Sequence, residues 1–239
     1  MKKYIIIICI ALLGLSSCVV GDGSEKSDRD YSSRMLAEQV VYTLSPVTMY
    51  PQFAIYAEAL FAERQTEAEF IKELYFKDAN IFVDEGKVIF LIGTNYYDQY
   101  ELRTDGKSLA EGGVWQLVKV NGTANTNILA SISGSEGEED CFRFNYNRLP
   151  YRYYYSNDAC SVSTNIEYLI GEESVTLEVR GEGHIGENDE YRTVFDIYDE
   201  YPLLYEKRAN EEGSYRGGQV DIVYEDLKTK KTKSLTMNL

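Results

Sequence analysis

The sequence predicts an α+β fold, with N-terminal helices packed on an antiparallel β-sheet or sandwich. Three observations carry this. Apolar residues recur at helical spacing before residue 76, the period changes to two from Ala79 onward, and the turns between the later runs are short. Short turns leave no room for the crossovers that parallel strands need, and one buried face with one wet face is the mark of antiparallel pairing.

The helical part comes first. Met35, Leu36, Val40, Val41 and Leu44 are spaced for one face of a helix, behind Ser32 and Ser33, which can cap it. Pro46 is expected to stop this helix, and Pro51 suits the first turn of a second. Phe53, Tyr56, Ala57, Leu60 and Phe61 form the apolar stripe of the second helix, with Glu58, Glu63 and Arg64 off it. Thr66-Glu-Ala-Glu69 has the pattern of a capping box and is expected to start a third, short helix.

The strands follow. Ile81 to Val83 and Lys87 to Ile92 flank Asp84-Glu-Gly86, a hairpin signal. Tyr96 to Arg103 leads into Thr104-Asp-Gly106, and Trp115 to Val120 into Asn121-Gly122. Later runs alternate. Val175, Leu177 and Val179 oppose Thr176, Glu178 and Arg180; Tyr191, Thr193, Phe195 and Ile197 oppose Arg192, Asp196 and Tyr198; Val220, Ile222 and Tyr224 oppose Asp221 and Glu225. Lys228, Lys230, Lys231 and Lys233 mark a hairpin turn whose lysines discourage edge-to-edge pairing.

The chain has 239 residues and a formal net charge of -15. Such a surface repels phosphate backbones, and the sequence offers no broad basic face, so nucleic acid is not an expected partner. One domain is expected over 31–239, long enough for a single core.

Residues 1–17 read as a secretory leader. Lys2 and Lys3 form a positive n-region, and Tyr4 to Leu15 an apolar stretch too short to span a membrane. Leu15-Ser-Ser-Cys18 then resembles the lipobox of bacterial lipoproteins. The resemblance covers residues 1–18. It implies lipidation of Cys18, anchoring of the protein to a membrane, and an oxidising compartment. Val19, where enterobacterial inner-membrane lipoproteins carry aspartate, favours the outer membrane, at its periplasmic face or the cell surface. The chain looks like the β-rich lipoproteins of Bacteroidetes envelopes. Residues 18–30, rich in glycine, serine and charge, read as a flexible tether.

Of four cysteines, Cys9 leaves with the leader and Cys18 takes the lipid. Cys141 and Cys160 remain, and in that compartment a disulfide between them is expected.

The densest candidate site is the run from Cys141 to Tyr155. With Asn147 to Pro150 as a hairpin turn, Tyr146 would face Tyr151, Phe144 Tyr153, and Phe142 Tyr155, which makes an aromatic core face. The opposite face would carry Arg143, Asn145, Arg152 and Tyr154, and these are the candidate ligand-binding residues. His184, the only histidine, lies in Gly181-Glu-Gly-His-Ile-Gly186 and reads as a solvated turn residue. Glu138, Glu139, Asp140, Asn188, Asp189 and Glu190 offer oxygen ligands but lack EF-hand spacing, so no metal is assigned. No nucleophile elbow is present, no carboxylate pair stands out, and no catalytic residue or cofactor is assigned. The reading is a membrane-anchored, non-catalytic binding protein for a glycan, a peptide or a partner protein. A hydrolase acting on an envelope or dietary polymer and a structural accessory are the alternatives.

Overall fold

The structure is a computed structural model. It describes Val20–Gly21 and residues 33–93, 98–121, 125–148, 159–186 and 191–239. Residues 1–19 and 22–32, which hold the expected leader, Cys18 and most of the expected tether, lie outside the described residues, as do Arg152, Tyr154 and residues 187–190.

Three helices open the described chain: α1 (Ser33–Met49), α2 (Pro51–Phe61) and α3 (Gln65–Tyr75). Contrary to expectation, Pro46 lies inside α1 and does not stop it. Proline cannot donate to the carbonyl four residues back. Here the Ser45 hydroxyl donates to that carbonyl, Tyr42 O, at 2.9 Å, so the helix continues for another turn. Tyr50 keeps right-handed helical angles (φ -99°, ψ -25°), so α1 and α2 are one helix bent at Tyr50. Pro51, at the start of α2, has no N–H to leave orphaned there. α3 forms as expected but not through a capping box. Its N-cap is Arg64, which makes no side-chain cap, and Thr66 lies inside the helix.

The strands are β1 (Ala79–Asp84), β2 (Lys87–Ile92), β3 (Asp98–Arg103), β4 (Val114–Asn121), β5 (Asn125–Ser133), β6 (Cys141–Arg148), β7 (Cys160–Ile170), β8 (Ser174–Ile185), β9 (Tyr191–Ile197), β10 (Leu203–Arg208), β11 (Ser214–Gly217), β12 (Gln219–Asp226) and β13 (Lys231–Asn238). With the Val20–Gly21 bridge they make one 14-stranded sheet in which each pairing is antiparallel. β1 to β8 pair in chain order, and β8 continues through β9, β12 and β13 to the bridge. The protein is thus mostly antiparallel sheet with helices at its N-terminal end.

β8 is where the sheet forks. Ser174 to Val179 pair with β10, and Gly181 to Ile185 pair with β9. Gly181 makes the switch at φ +138°, and a Cβ there would stand 2.3 Å from the Ser163 carbonyl oxygen. Only glycine tolerates both conditions.

The helices pack on the inner face. α1 touches β6, β7, β8 and β12. From α2, Phe53 lies 4.7 Å from the Phe90 ring on β2 and 5.2 Å from Tyr100 on β3, and Phe61 meets Trp115 on β4 at 5.6 Å. α2 is buried nearly all round, Glu58 included, which overturns the reading of Glu58 as an outward residue. The buried apolar residues form one contiguous cluster from Leu36 to Met237. Each fully buried large side chain, such as Phe90, Phe144 or Phe195, contributes about 1.5–3 kcal/mol. Among the described residues, no helix is long and apolar enough to cross a membrane.

Candidate functional site

The nominated residues start on β6. Phe142, Phe144 and Tyr146 are buried, while Arg143 and Asn147 are exposed and Asn145 is half-buried, so the alternation was read on the correct faces. The partner strand was not. β6 pairs with β7, setting Phe142 against Ile166, Phe144 against Thr164 and Tyr146 against Val162. The place expected for Tyr151 to Tyr155 beside β6 is taken by β7, and residues 149–158 themselves lie outside the described residues. Strand alternation tells which face a residue takes but not which strand lies beside it.

The same pairing overturns the expected disulfide. Cys141 stands opposite Glu167 and Cys160 opposite Arg148, so the two cysteines occupy opposite ends of one ladder. Seven residues of strand separate them, about 23 Å, against a limit near 7 Å for bridged Cα atoms. Both are thiols, and Cys141 Sγ donates to Glu138 Oε2 at 3.3 Å. Burial, then the Glu138 carboxylate, pushes the Cys141 thiol up to about 11.

On the outer face Arg143 and Asn145 come together through Ser163, a residue sequence reasoning missed. Arg143 Nε and its terminal nitrogen donate to Ser163 Oγ at 3.3 and 3.0 Å, and Ser163 Oγ donates to Asn145 Oδ1 at 2.8 Å. The register extends this into polar rows across β5 to β8. One row runs Ser133, Arg143, Asn165, Arg180, and the next runs Ser131, Asn145, Ser163, Glu182. A third sets Asn147 against Ser161 and Ser161 against His184. Rows on one face repeat about every 7 Å along the strands and about 4.8 Å across them. The result is a regular field of hydroxyls, amides and one exposed guanidinium. Arg180 is neutralised by Glu167 at 3.1 Å and by Glu178, and Arg103 by Glu101 at 2.9 Å. Arg143 pairs with no carboxylate among the described residues.

His184 is not in a turn, as the glycines around it suggested. It lies within β8, half-buried, and its Nδ1 has no hydrogen-bond partner among the described residues. The acidic loop before β6 serves as a structural tie, with Asp140 accepting from Arg64 at 2.9 Å and Arg64 also reaching Glu67 at 3.1 Å. Among the described residues, no group of three His, Cys, Asp or Glu side chains could hold a metal ion.

Away from this face, a concavity of about 410 Å³ lies between α3, the start of β1 and the end of β10, lined by Phe70, Leu74, Phe76, Ile92, Lys77 and Lys207 among others. No sequence signal marked it, because its walls come from three separated parts of the chain. In comparisons with known proteins, no family, no curated protein and no solved structure matches this chain.

Proposed function

We propose that the protein is a lipid-anchored envelope protein, tethered through Cys18 at the outer membrane, that binds a hydroxyl-rich ligand, a glycan, on the outer face of β5 to β8. The observation that carries the reading is Arg143. On a chain with net charge -15, its guanidinium is exposed and held by a neutral hydroxyl, leaving N–H donors for ligand hydroxyl or carboxylate oxygens. Asn145, Ser163 and Asn165 add both donors and acceptors at strand spacing, which suits a repeating polymer of hydroxyls. Arg152 and Tyr154, outside the described residues, belong to the same proposed site. The α+β class, helices on an antiparallel sheet, goes with this reading: the helices fill the inner face and leave the outer face for recognition.

Glycan-array binding of the wild type against Arg143→Ala and Asn145→Ala tests the site. The wild type should bind, and Arg143→Ala should weaken binding at least about tenfold, the loss of roughly 1.4 kcal/mol from a charge-assisted hydrogen bond. Equal binding by a folded Arg143→Ala variant places the ligand elsewhere. The anchor has its own test. Fatty-acid labelling should mark the wild type and not Cys18→Ala, and an unlabelled wild type removes the lipoprotein reading.

A further inference from the structure

Among the described residues, β1 is the terminal strand of the sheet and pairs with β2 alone. Its hairpin closes on Asp84 opposite Lys87 across the two residues Glu85 and Gly86. A two-residue hairpin closes on a hydrogen-bonded pair, and such pairs alternate along the ladder. Asp84, Phe82 and Asn80 therefore bond to β2, while Ile81 and Val83 turn their N–H and C=O groups to the open edge. Ala79 shares that outward sense, and its N–H is taken by the Phe76 carbonyl at 2.9 Å.

Edges of this kind are normally blunted by lysine, proline, a bulge or brevity. β1 reads Ala-Asn-Ile-Phe-Val-Asp, carries no bulge, and leaves Phe82 53% and Val83 63% exposed. The other ends of the sheet are guarded. β13 carries Lys231 and Lys233 and is met by Val20–Gly21, and β11 is four residues long.

A second, independent feature lies at the start of the same strand. Ala79 and Ile92, which face each other across β1 and β2, both line the 410 Å³ cleft. Phe70, Leu74 and Phe76 give it apolar walls. Its two rim lysines are occupied internally, Lys77 by Glu73 at 2.7 Å and Lys207 by the Glu211 carbonyl. Asp78 also lies on the lining, so it is the apolar walls that take an uncharged side chain. At the far end of β1, Asp84 is paired with Lys87 at 3.5 Å, and Glu85, with no cation partner among the described residues, is the open acid of the tip.

We propose that the edge of β1 accepts an extended segment of a partner protein as an added antiparallel strand. That segment is apolar through its middle. It carries lysine or arginine at its N-terminal end beside Glu85, and a large apolar side chain at its C-terminal end in the cleft. Main-chain hydrogen bonds to Ile81 and Val83 supply affinity, and the cleft and the acidic tip supply direction and specificity. The net charge of -15 steers a basic segment toward the molecule. A second copy fits less well. Antiparallel pairing of β1 with itself about Ile81 sets Asp78 against Asp84 twice, and leaves the cleft unfilled.

The test is fluorescence anisotropy with a dye-labelled synthetic peptide, Lys-Lys-Thr-Ile-Thr-Val-Thr-Phe-amide. Saturable binding is expected, weakened at least about tenfold when both lysines become glutamate, when the final phenylalanine becomes glycine, or when the amides facing β1 are N-methylated. Val83→Pro removes an N–H that the sheet itself does not use and should abolish binding. Val83→Lys should do so too, and serves where the proline variant fails to fold by circular dichroism. Arg143→Ala should leave peptide binding unchanged, which separates this edge from the glycan face. No saturable binding, equal binding of the N-methylated peptide, or full binding by a folded Val83 variant overturns the proposal. So does a wild-type dimer in sedimentation that Val83→Lys dissolves, since the occupant is then a second copy.

Discussion

Glu58 sits among apolar neighbours on α2 because its carboxylate closes the first turn of the short helix Leu109–Glu111. Leu109 N–H donates to Glu58 Oε2 at 2.8 Å and Ala110 N–H to Oε1 at 3.5 Å. The group is only 5% exposed, so these bonds replace the water it has lost. Glu58→Ala strands two backbone donors and should cost about 1–3 kcal/mol in urea unfolding, while Glu58→Gln, which keeps an acceptor, should cost less. Cys141 gives a second prediction at this scale. With its thiol raised to about 11, little thiolate exists at pH 8, so native Cys141 should react slowly with iodoacetamide and faster as pH rises toward that value. In denatured, unreduced protein, peptide mapping should find both Cys141 and Cys160 alkylated. A linked Cys141–Cys160 peptide would restore the bridge that the β6–β7 register excludes.

Among the elements, β8 decides the topology, because the edge it shares between β10 and β9 turns at Gly181. Gly181→Ala forces a side chain into a positive-φ position against the Ser163 carbonyl, and should destabilise by about 1–3 kcal/mol. Gly183→Ala should cost a similar amount for a different reason: its Cβ would stand 2.1 Å from the tip of the Phe195 ring. Trimming that ring separates the two. Phe195→Leu should recover stability in the Gly183→Ala background and none in Gly181→Ala, read as the coupling energy in a double-mutant cycle. The elements also show what the sequence made legible. Alternation along β6, β8, β9 and β12 put each residue on its correct face, since a pleat has a period of two and one face is buried. The pairing of β6 did not follow, because it depends on which distant strand fits beside it, here one that begins twelve residues after β6 ends. Arg143 and Asn145 were found because they lie two apart on one strand. Ser163, which joins them, was not. Pro46 misled because its local rule is correct and Ser45 answers it one residue away. Glu58 misled because an acid on an apolar helix reads as outward unless its partner, far along the chain at Leu109, is known.

For the molecule as a whole, the balance of charge sets how stability responds to pH. Most of the excess acid is spread over wet strand faces and turns, but one row concentrates it: Glu182, Asp196 and Asp221 stand opposite one another on β8, β9 and β12. Burial, then Glu182, raises the Asp196 pKa above 3.8, with Asp221 adding to the effect and His184 opposing it. Between its unfolded and folded values the native state holds the extra proton, so stability from this group falls as pH rises through that window. Above the window the repulsion is present in full. Asp105, Glu111 and Asp226 work in the opposite sense. Desolvation is the largest single influence on Asp105 and raises it, but the backbone N–H groups of Val114 and Lys107 together outweigh it; Glu111 is held down by the Ser108 N–H and Asp226 by the Thr229 N–H. Those three lie below their ordinary values, so the stability they give is present at neutral pH and lost as pH falls through their folded values. Asp196→Asn isolates the first effect. At pH 7 and low salt it should raise the urea midpoint, by an amount equivalent to about 0.2–1 kcal/mol, the scale of a like-charge cross-strand pair. The gain should shrink in 0.5 M NaCl, which screens the remaining carboxylates, and should vanish as pH falls below the raised Asp196 value, where the wild type is already neutral at that position. An Asp196→Asn protein no more stable than wild type at pH 7, or equally stabilised at pH 3.5, would mean that the row is solvated well enough for its charges not to couple.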